Sequence, residues 1–314
     1  MKTLKIGTRG SALALWQANH VSALLREAHP GLEVTLEIIK TSGDKIQDVP
    51  LAKIGGKGLF VKEIEEALLE KRVDLAVHSL KDVPAQLPPE LILIAILPRV
   101  DPSDALIVRD GLAKDVMALP QGARIGTSSL RRQLQLKALR PDFQMFPLRG
   151  NVDTRLRKVA EGEYDAIVLA AAGLLRLGWG DRISQTISAE HMLPAVGQGV
   201  LGLEGRVGDA QVQELVAPLH HHETALVASA ERGVNAGLSG GCQVPIASHA
   251  QLVDNKLWLR ALVGSPDGAE VLREELWAFT GTVSDAESVG YQLARRLLAK
   301  GADRLIQLAH QMNS

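Results

Sequence analysis

Two rhythms of apolar residues divide this chain. Over the first two-thirds, short apolar runs alternate with stretches of helical period. Leu4-Lys5-Ile6-Gly7-Thr8-Arg9 is patterned as a strand, and Ser11 is placed to cap a helix running to about Glu27. Val34 to Lys40 alternates as a strand. A helix is predicted from about Phe60 to Lys71, with Val61, Ile64, Ala67 and Leu68 on its apolar face. Asp74 to Leu80 and Leu91 to Leu97 are apolar strands. After a connector, Asp101-Pro102-Ser103-Asp104, the alternation restarts. Strands fall at Ala105–Val108, Arg124–Thr127 and Tyr164–Ala170, helices at Ser129–Leu139 and Asn151–Ala160. Pro194-Ala195-Val196-Gly197-Gln198-Gly199 is a second hinge, followed by a strand at Val200–Glu204 and mainly helical chain over Ala210–Leu238. Such alternation predicts βαβ units in largely parallel sheets.

The last third changes rhythm. Ile246–Leu252 and Lys256–Leu262 flank the turn Val253-Asp254-Asn255, and a third strand near Val271–Thr280 completes an antiparallel meander. A closing helix over about Asp285–His310 makes this part α+β. With 314 residues, the chain suits two or three domains, and the patterning favours three. No repeat and no low-complexity segment is visible.

The composition excludes several classes. Aromatic residues are only 3%, too few for a base-stacking surface, and a net charge of −1 gives no general attraction to nucleic acid or membrane. The longest apolar run, Leu91–Leu97, is too short to span a bilayer. The first residues enter a strand without the pattern of a signal peptide, and the single cysteine fits a reducing compartment, so a cytoplasmic protein is expected. Between Arg124 and Arg176, however, ten Lys/Arg face five acids. Most are arginine, whose planar fork matches carboxylate or phosphate. That region is expected to meet an anion.

Parallel sheets present ligands at the carboxyl ends of their strands. Those ends here are Thr8-Arg9-Gly10-Ser11, His78-Ser79-Leu80-Lys81-Asp82, Gly126-Thr127-Ser128-Ser129 and Leu148-Arg149-Gly150-Asn151. Arg131 and Arg132 open a helix, where they oppose its dipole, so stability alone does not account for them. Asp82 is either a turn-capping aspartate before Pro84 or a carboxylate in a cationic cleft, able to pass a proton or steady a cation. Gly55-Gly56-Lys57-Gly58 lacks the spacing of a phosphate loop. His220-His221-His222 suits a helix cap or solvated face better than a metal, because adjacent helical residues diverge. Cys242, between Leu238-Ser239-Gly240-Gly241 and Gln243-Val244-Pro245, is either a small buried apolar side chain or an accessible thiolate that carries a group.

Taken together these runs resemble the porphobilinogen deaminase (hydroxymethylbilane synthase) family over nearly the whole chain. The most specific piece is Glu231-Arg232 followed by Leu238 to Ile246. His78 to Pro84, Gly126 to Arg132, Arg149 to Arg155 and Pro194 to Gly199 also match. The resemblance implies a transferase that joins four porphobilinogen molecules with loss of ammonia into linear hydroxymethylbilane, in tetrapyrrole (porphyrin, haem) biosynthesis. It places a covalent dipyrromethane cofactor on Cys242 through a thioether and makes Asp82 the catalytic carboxylate. Lys81, Asp82, Ser79, Thr127, Ser129, Arg131 and Arg132 are expected to bind the cofactor, and Arg9, Ser11, Arg149, Arg155, Arg176 and Gln198 the substrate. No metal is expected.

The implied fold is α/β, two periplasmic-binding-protein-like domains with a smaller α+β C-terminal domain. The expected division is 1–97 plus 198–219, then 98–197, then 220–314, and the expected state is a monomer without nucleic-acid or membrane partners. Two departures stand near the thiol: Ser239, where many relatives have glutamate, and Gly237, where a bulkier residue is common; looser packing is expected there. The segment 46–58, with Lys53 and Lys57, is expected to move. The competing reading is a non-catalytic two-domain anion-binding protein, which leaves Cys242 and Asp82 unexplained.

Overall fold

A computed structural model describes residues 3–45, 61–238 and 244–313. Cys242, Ser239 and the whole 46–58 segment, Lys53 and Lys57 included, lie outside the described residues. In chain order the first elements are β1 (Thr3–Thr8), α1 (Ala12–Ala28), β2 (Glu33–Ile38), α2 (Ser42–Lys45), α3 (Lys62–Leu69), β3 (Leu75–Ser79) and β4 (Leu91–Ile96). They are followed by β5 (Asp104–Val108), β6 (Arg124–Gly126), α4 (Leu130–Leu139), β7 (Gln144–Phe146), α5 (Val152–Ala160), β8 (Ala166–Ala170), α6 (Ala171–Arg176) and β9 (Gln185–Ile187). The rest are β10 (Leu201–Arg206), α7 (Ala210–Val216), α8 (His222–Gly237), β11 (Ile246–Val253), β12 (Lys256–Gly264), β13 (Val271–Ala278), α9 (Val283–Ala299) and α10 (Ala302–Asn313).

Two five-stranded sheets share one plan. Their orders are β2-β1-β3-β10-β4 and β7-β6-β8-β5-β9. In each, three strands are parallel, and a fourth enters antiparallel between the third strand and the edge strand. The intruders are β10 and β5, the strands at which the chain arrives from the other half. The expectation of largely parallel sheet is therefore corrected for these two. A strand buried on both faces, such as the wholly buried β5, has the same apolar sequence in either direction. β7 and β9, three residues each, are too short to show a period and were not expected.

The cores follow from the patterning. Leu4, Ile6, Leu25, Leu75 and Leu203 are fully buried between the first sheet and its helices. Ser11 caps α1 as the sequence suggests, its Oγ accepting from the Ala14 N–H at 3.3 Å. Ile125, Phe143, Ala166 and Val168 anchor one side of the second sheet, Leu148, Ile167 and Leu174 the other. These two sheets with their separate cores are the expected pair of α/β units.

The smaller C-terminal part has its own sheet, β11-β12-β13, wholly antiparallel. Asp254 and Asn255 both adopt positive φ, 49° and 60°, as a two-residue hairpin turn matching strand twist requires. The closing helix is two helices rather than one, because Gly301 at φ +92° stops α9 before α10 begins. α8 and α9 lie so close that a Cβ on Gly290 would collide with the Ala230 carbonyl. The packing near Gly237 is tight, not loose: a Cβ there would come within 2.6 Å of the Ala294 Cβ.

Candidate functional site

The chain leaves β3 in a single 3-10 turn, Leu80–Asp82. Leu80 and Val83 are buried against Ala225 and Ala228 of α8 and Val200 of the second crossing, and the Leu80 N–H donates to the Val200 carbonyl at 2.9 Å. Between these two anchors, Lys81 and Asp82 remain half-buried. Burial pushes the Lys81 ammonium down to about 8; Asp82 opposes this and Arg132 adds to it, with further opposition from Asp104 and further lowering by Arg131. Burial likewise lowers Arg155 to about 10, assisted by the neighbouring charges of Arg132 and Arg149 and resisted by Asp82. One carboxylate and one lysine from the first half thus share a field with arginines of the second. Burial first, and neighbouring cations second, depress Lys81 and Arg155.

The Arg131-Arg132 pair has a partner that the sequence did not reveal. Asp104, fully buried at the head of β5, accepts from Arg131 Nη1 and Nη2 at 2.7 and 3.1 Å and from Arg132 Nε and Nη2 at 2.9 and 2.8 Å. Burial alone would raise its carboxyl; the two guanidinium groups prevail and hold it well below the usual carboxylate range. Arg131 also donates to the Leu193 carbonyl and Arg132 to that of Val168. Two arginines against one aspartate leave one positive charge, paid for in desolvation and facing Lys81. The segment Asp101–Asp104, expected only to connect, supplies the counter-ion.

The remaining expected site residues divide by place. Arg155 Nε donates to the Gly150 carbonyl at 2.7 Å, and Arg149 and Arg9 are half-buried. Thr127 is buried, its Oγ1 accepting from the Ser129 N–H at 3.2 Å. Ser79 Oγ accepts from Gln17 Nε2 at 2.8 Å. Arg176, lowered to about 10 by burial, donates to the Gly199 carbonyl at 2.9 Å. Gln198 is buried between the crossings, donating from Nε2 to the Pro102 carbonyl at 2.6 Å and to Asp104 Oδ1 at 3.1 Å. Ser11 is occupied as a helix cap. In the run His220-His221-His222, His221 caps α8 by accepting from the Thr224 N–H, and His220 Nδ1 accepts from that of Ile96.

Glu231 is a second hub that pattern alone did not single out. Fully buried in α8, it accepts from Arg99 at 2.7 and 2.8 Å, from the Gly197 N–H at 2.8 Å and from the Ala250 N–H at 2.8 Å. It therefore joins both crossings to the C-terminal sheet. Burial would raise its carboxyl, but Arg99 and His249 hold it down to about 2.

A family model described as porphobilinogen deaminase, dipyromethane cofactor binding domain, matches residues 4–214, and one for the porphobilinogen deaminase C-terminal domain matches residues 225–299. A curated porphobilinogen deaminase from Syntrophotalea carbinolica is 57% identical over 303 residues, 96% of this chain and 95% of its own. The chain belongs to the porphobilinogen deaminase family. Two solved structures also match with low identity. One is a periplasmic VFT2 domain of BvgS from Bordetella pertussis, at 16% identity, 68% of this chain, 85% of its own and a TM-score of 0.41. The other is a YaeC-family lipoprotein from Enterococcus faecalis, at 12% identity, 72% of this chain, 94% of its own and a TM-score of 0.43. Among the described residues of this porphobilinogen deaminase family member, no helix is long and apolar enough to cross a membrane.

The donor set fits the family's dipyrromethane cofactor. Pyrrole rings that each carry an acetate and a propionate bring several carboxylates, and Lys81, Arg131, Arg132, Arg149 and Arg155 are the side-chain types that bind them. The attachment residue expected from the family pattern, Cys242, follows α8 in sequence and lies outside the described residues.

Proposed function

We infer that this protein is a hydroxymethylbilane synthase, which joins four porphobilinogen molecules head to tail with loss of ammonia and releases the linear product with water. The observation that carries this reading is the Asp82 carboxylate held in one field with Lys81 and Arg155, beside Arg131 and Arg132 that are anchored on Asp104. When bound, on Cys242 in this reading, the dipyrromethane supplies the pyrrole carbon from which the chain is extended.

The protein's own groups then have distinct tasks. Arg149, Arg155 and Arg9 hold the substrate's acetate and propionate, with Ser11, Arg176 and Gln198 shaping the walls and crossings around it. Lys81, Arg131 and Arg132, aided by Ser79, Thr127 and Ser129, hold the carboxylates of the resident group. Asp82 accepts the pyrrole N–H of porphobilinogen. As the C–N bond of the protonated aminomethyl group breaks, its electron pair leaves with ammonia, and the ring becomes a cation that the Asp82 carboxylate stabilises. The carbon nucleophile for the new C–C bond would come from the resident group held by Lys81, Arg131 and Arg132, and the proton it gives up would balance the released ammonia as ammonium. In this reading the enzyme is a cytoplasmic monomer acting on a small molecule, without nucleic acid or membrane, and built as 1–97 with 198–219, 98–197 and 220–314.

Intact mass of the denatured protein tests the assignment. The parent is expected to carry excess mass equal to two linked pyrrole units, absent from Cys242→Ser, and to release ammonia when given porphobilinogen. A parent that remains unmodified and releases no ammonia after incubation with porphobilinogen refutes the reading.

A further inference from the structure

Among the described residues, no acid lies at hydrogen-bond distance from Arg232, although its guanidinium is largely enclosed. Instead it donates to three successive main-chain carbonyls: Val83 at 3.3 Å, Pro84 at 2.8 Å and Ala85 at 3.2 Å. These residues directly follow Asp82. From Val83 to Glu90 the chain forms neither helix nor strand, so it has no ladder of its own to fix its path. Burial lowers the Arg232 charge, against support from Glu287 and Glu204. A buried cation resting on neutral carbonyls is a poor device for stability alone, since its desolvation is only partly offset.

The rest of α8 shows what this contact is attached to. Ala225 and Ala228 carry Leu80 and Val83, the residues on either side of the Lys81-Asp82 pair. Glu231, the preceding residue, locks α8 to Arg99, Gly197 and Ala250. The opposite face of α8 lies against α9 at Gly233 and Gly290, too close for any side chain between them. α8 is thus fixed in register from several sides, and Arg232 is its polar hold on the chain leaving Asp82.

We propose that Arg232 is a positioning residue for the reaction: by gripping the Val83, Pro84 and Ala85 carbonyls it holds the Asp82 carboxylate at a set height against α8. The inference rests on the reading of Asp82 as the catalytic carboxylate. Arg232 touches neither substrate nor cofactor in this role. Its fork is needed because a lysine ammonium cannot span the same three acceptors in one plane.

The test is a double-mutant cycle on the cofactor-bearing enzyme, with loading read by intact mass and turnover by hydroxymethylbilane formation from porphobilinogen. Arg232→Ala is expected to lower kcat at least about tenfold per loaded enzyme with KM within about twofold, and Arg232→Lys to recover part of the loss. In an Asp82→Asn background, Arg232→Ala is expected to cost less than about twofold more, because the group it positions is gone. A kcat within about twofold of the parent, or losses that multiply fully in the double mutant, overturns the proposal. Asp82→Asn turning over at the parental rate removes the Asp82 reading and this inference with it. A slow Asp82→Asn beside a normal Arg232→Ala overturns the inference alone. Should Arg232→Ala not fold, Arg232→Gln takes its place under the same criteria.

Discussion

Arg132 places two nitrogens, Nε and Nη2, on a single oxygen of Asp104, at 2.9 and 2.8 Å. Arg131 reaches the same oxygen at 3.1 Å and the other at 2.7 Å. The three charges are buried together, so each depends on the others being present. Asp104→Asn leaves two guanidinium groups without a counter-ion and is expected to lower stability by about 3–5 kcal/mol. Urea unfolding checks this as a fall in midpoint at unchanged slope; a loss below about 1 kcal/mol would show that the arginines escape to water.

Asp82→Asn keeps the size of the side chain and removes its charge. Turnover is expected to fall about a thousandfold or more, the scale of losing a main electrostatic stabiliser. The melting temperature should move little, because the turn is held by Leu80, Val83 and main-chain bonds. Near-normal turnover would remove Asp82 from the chemistry.

Lys81 supplies a pH dependence with a definite sign. Burial has brought its ammonium down to about 8, so the positive charge is present below that pH and lost as pH rises through it. Because Lys81 holds the resident group onto which the substrate docks, the KM for porphobilinogen is expected to climb on the alkaline side of about 8 as that group loosens, and Lys81→Arg to move that limb upward. A KM flat to about pH 9.5 would show that this charge takes no part in the grip.

Glu231 governs the acid side. Its carboxyl is ordinarily near 4.5 and is held at about 2 in the folded protein. A depressed carboxyl contributes stability that is complete above its unfolded value and lost as pH falls toward its folded one. Glu231→Gln should therefore be less stable than the parent at pH 7 and converge with it as pH approaches about 2. Urea midpoints measured across that range would show parallel curves instead if Glu231 were protonated throughout.

The sequence was legible where a single segment carried the whole signal. The apolar run into Ser79 and the polar residues after it announced a strand end, and Ser11 announced the start of α1. Partnerships across the fold were not legible. Asp104 lies 27 residues before Arg131 in sequence, and nothing local in Asp101–Asp104 distinguishes a buried counter-ion from a linker. The directions of β5 and β10 were hidden for a similar reason, since two-sided burial erases the alternation that fixes orientation. Gly237, expected in loose surroundings, proved to be a spacing residue between helices because its neighbour Ala294 is remote in sequence. The arginine excess was visible as charge; the division into inward-paired Arg131 and Arg132 and half-buried Arg149 and Arg155 needed three dimensions.

The placement of β10 also bears on how the protein is made. β4 hydrogen-bonds only to β10 within the first sheet, and β10 fills the position between it and β3. A ribosome that has delivered residues 1–197 has released every strand of the second sheet but left a central gap in the first. The half that begins the chain is therefore the later of the two α/β halves to be completed during synthesis, and until Arg206 emerges its edge strand has no native neighbour.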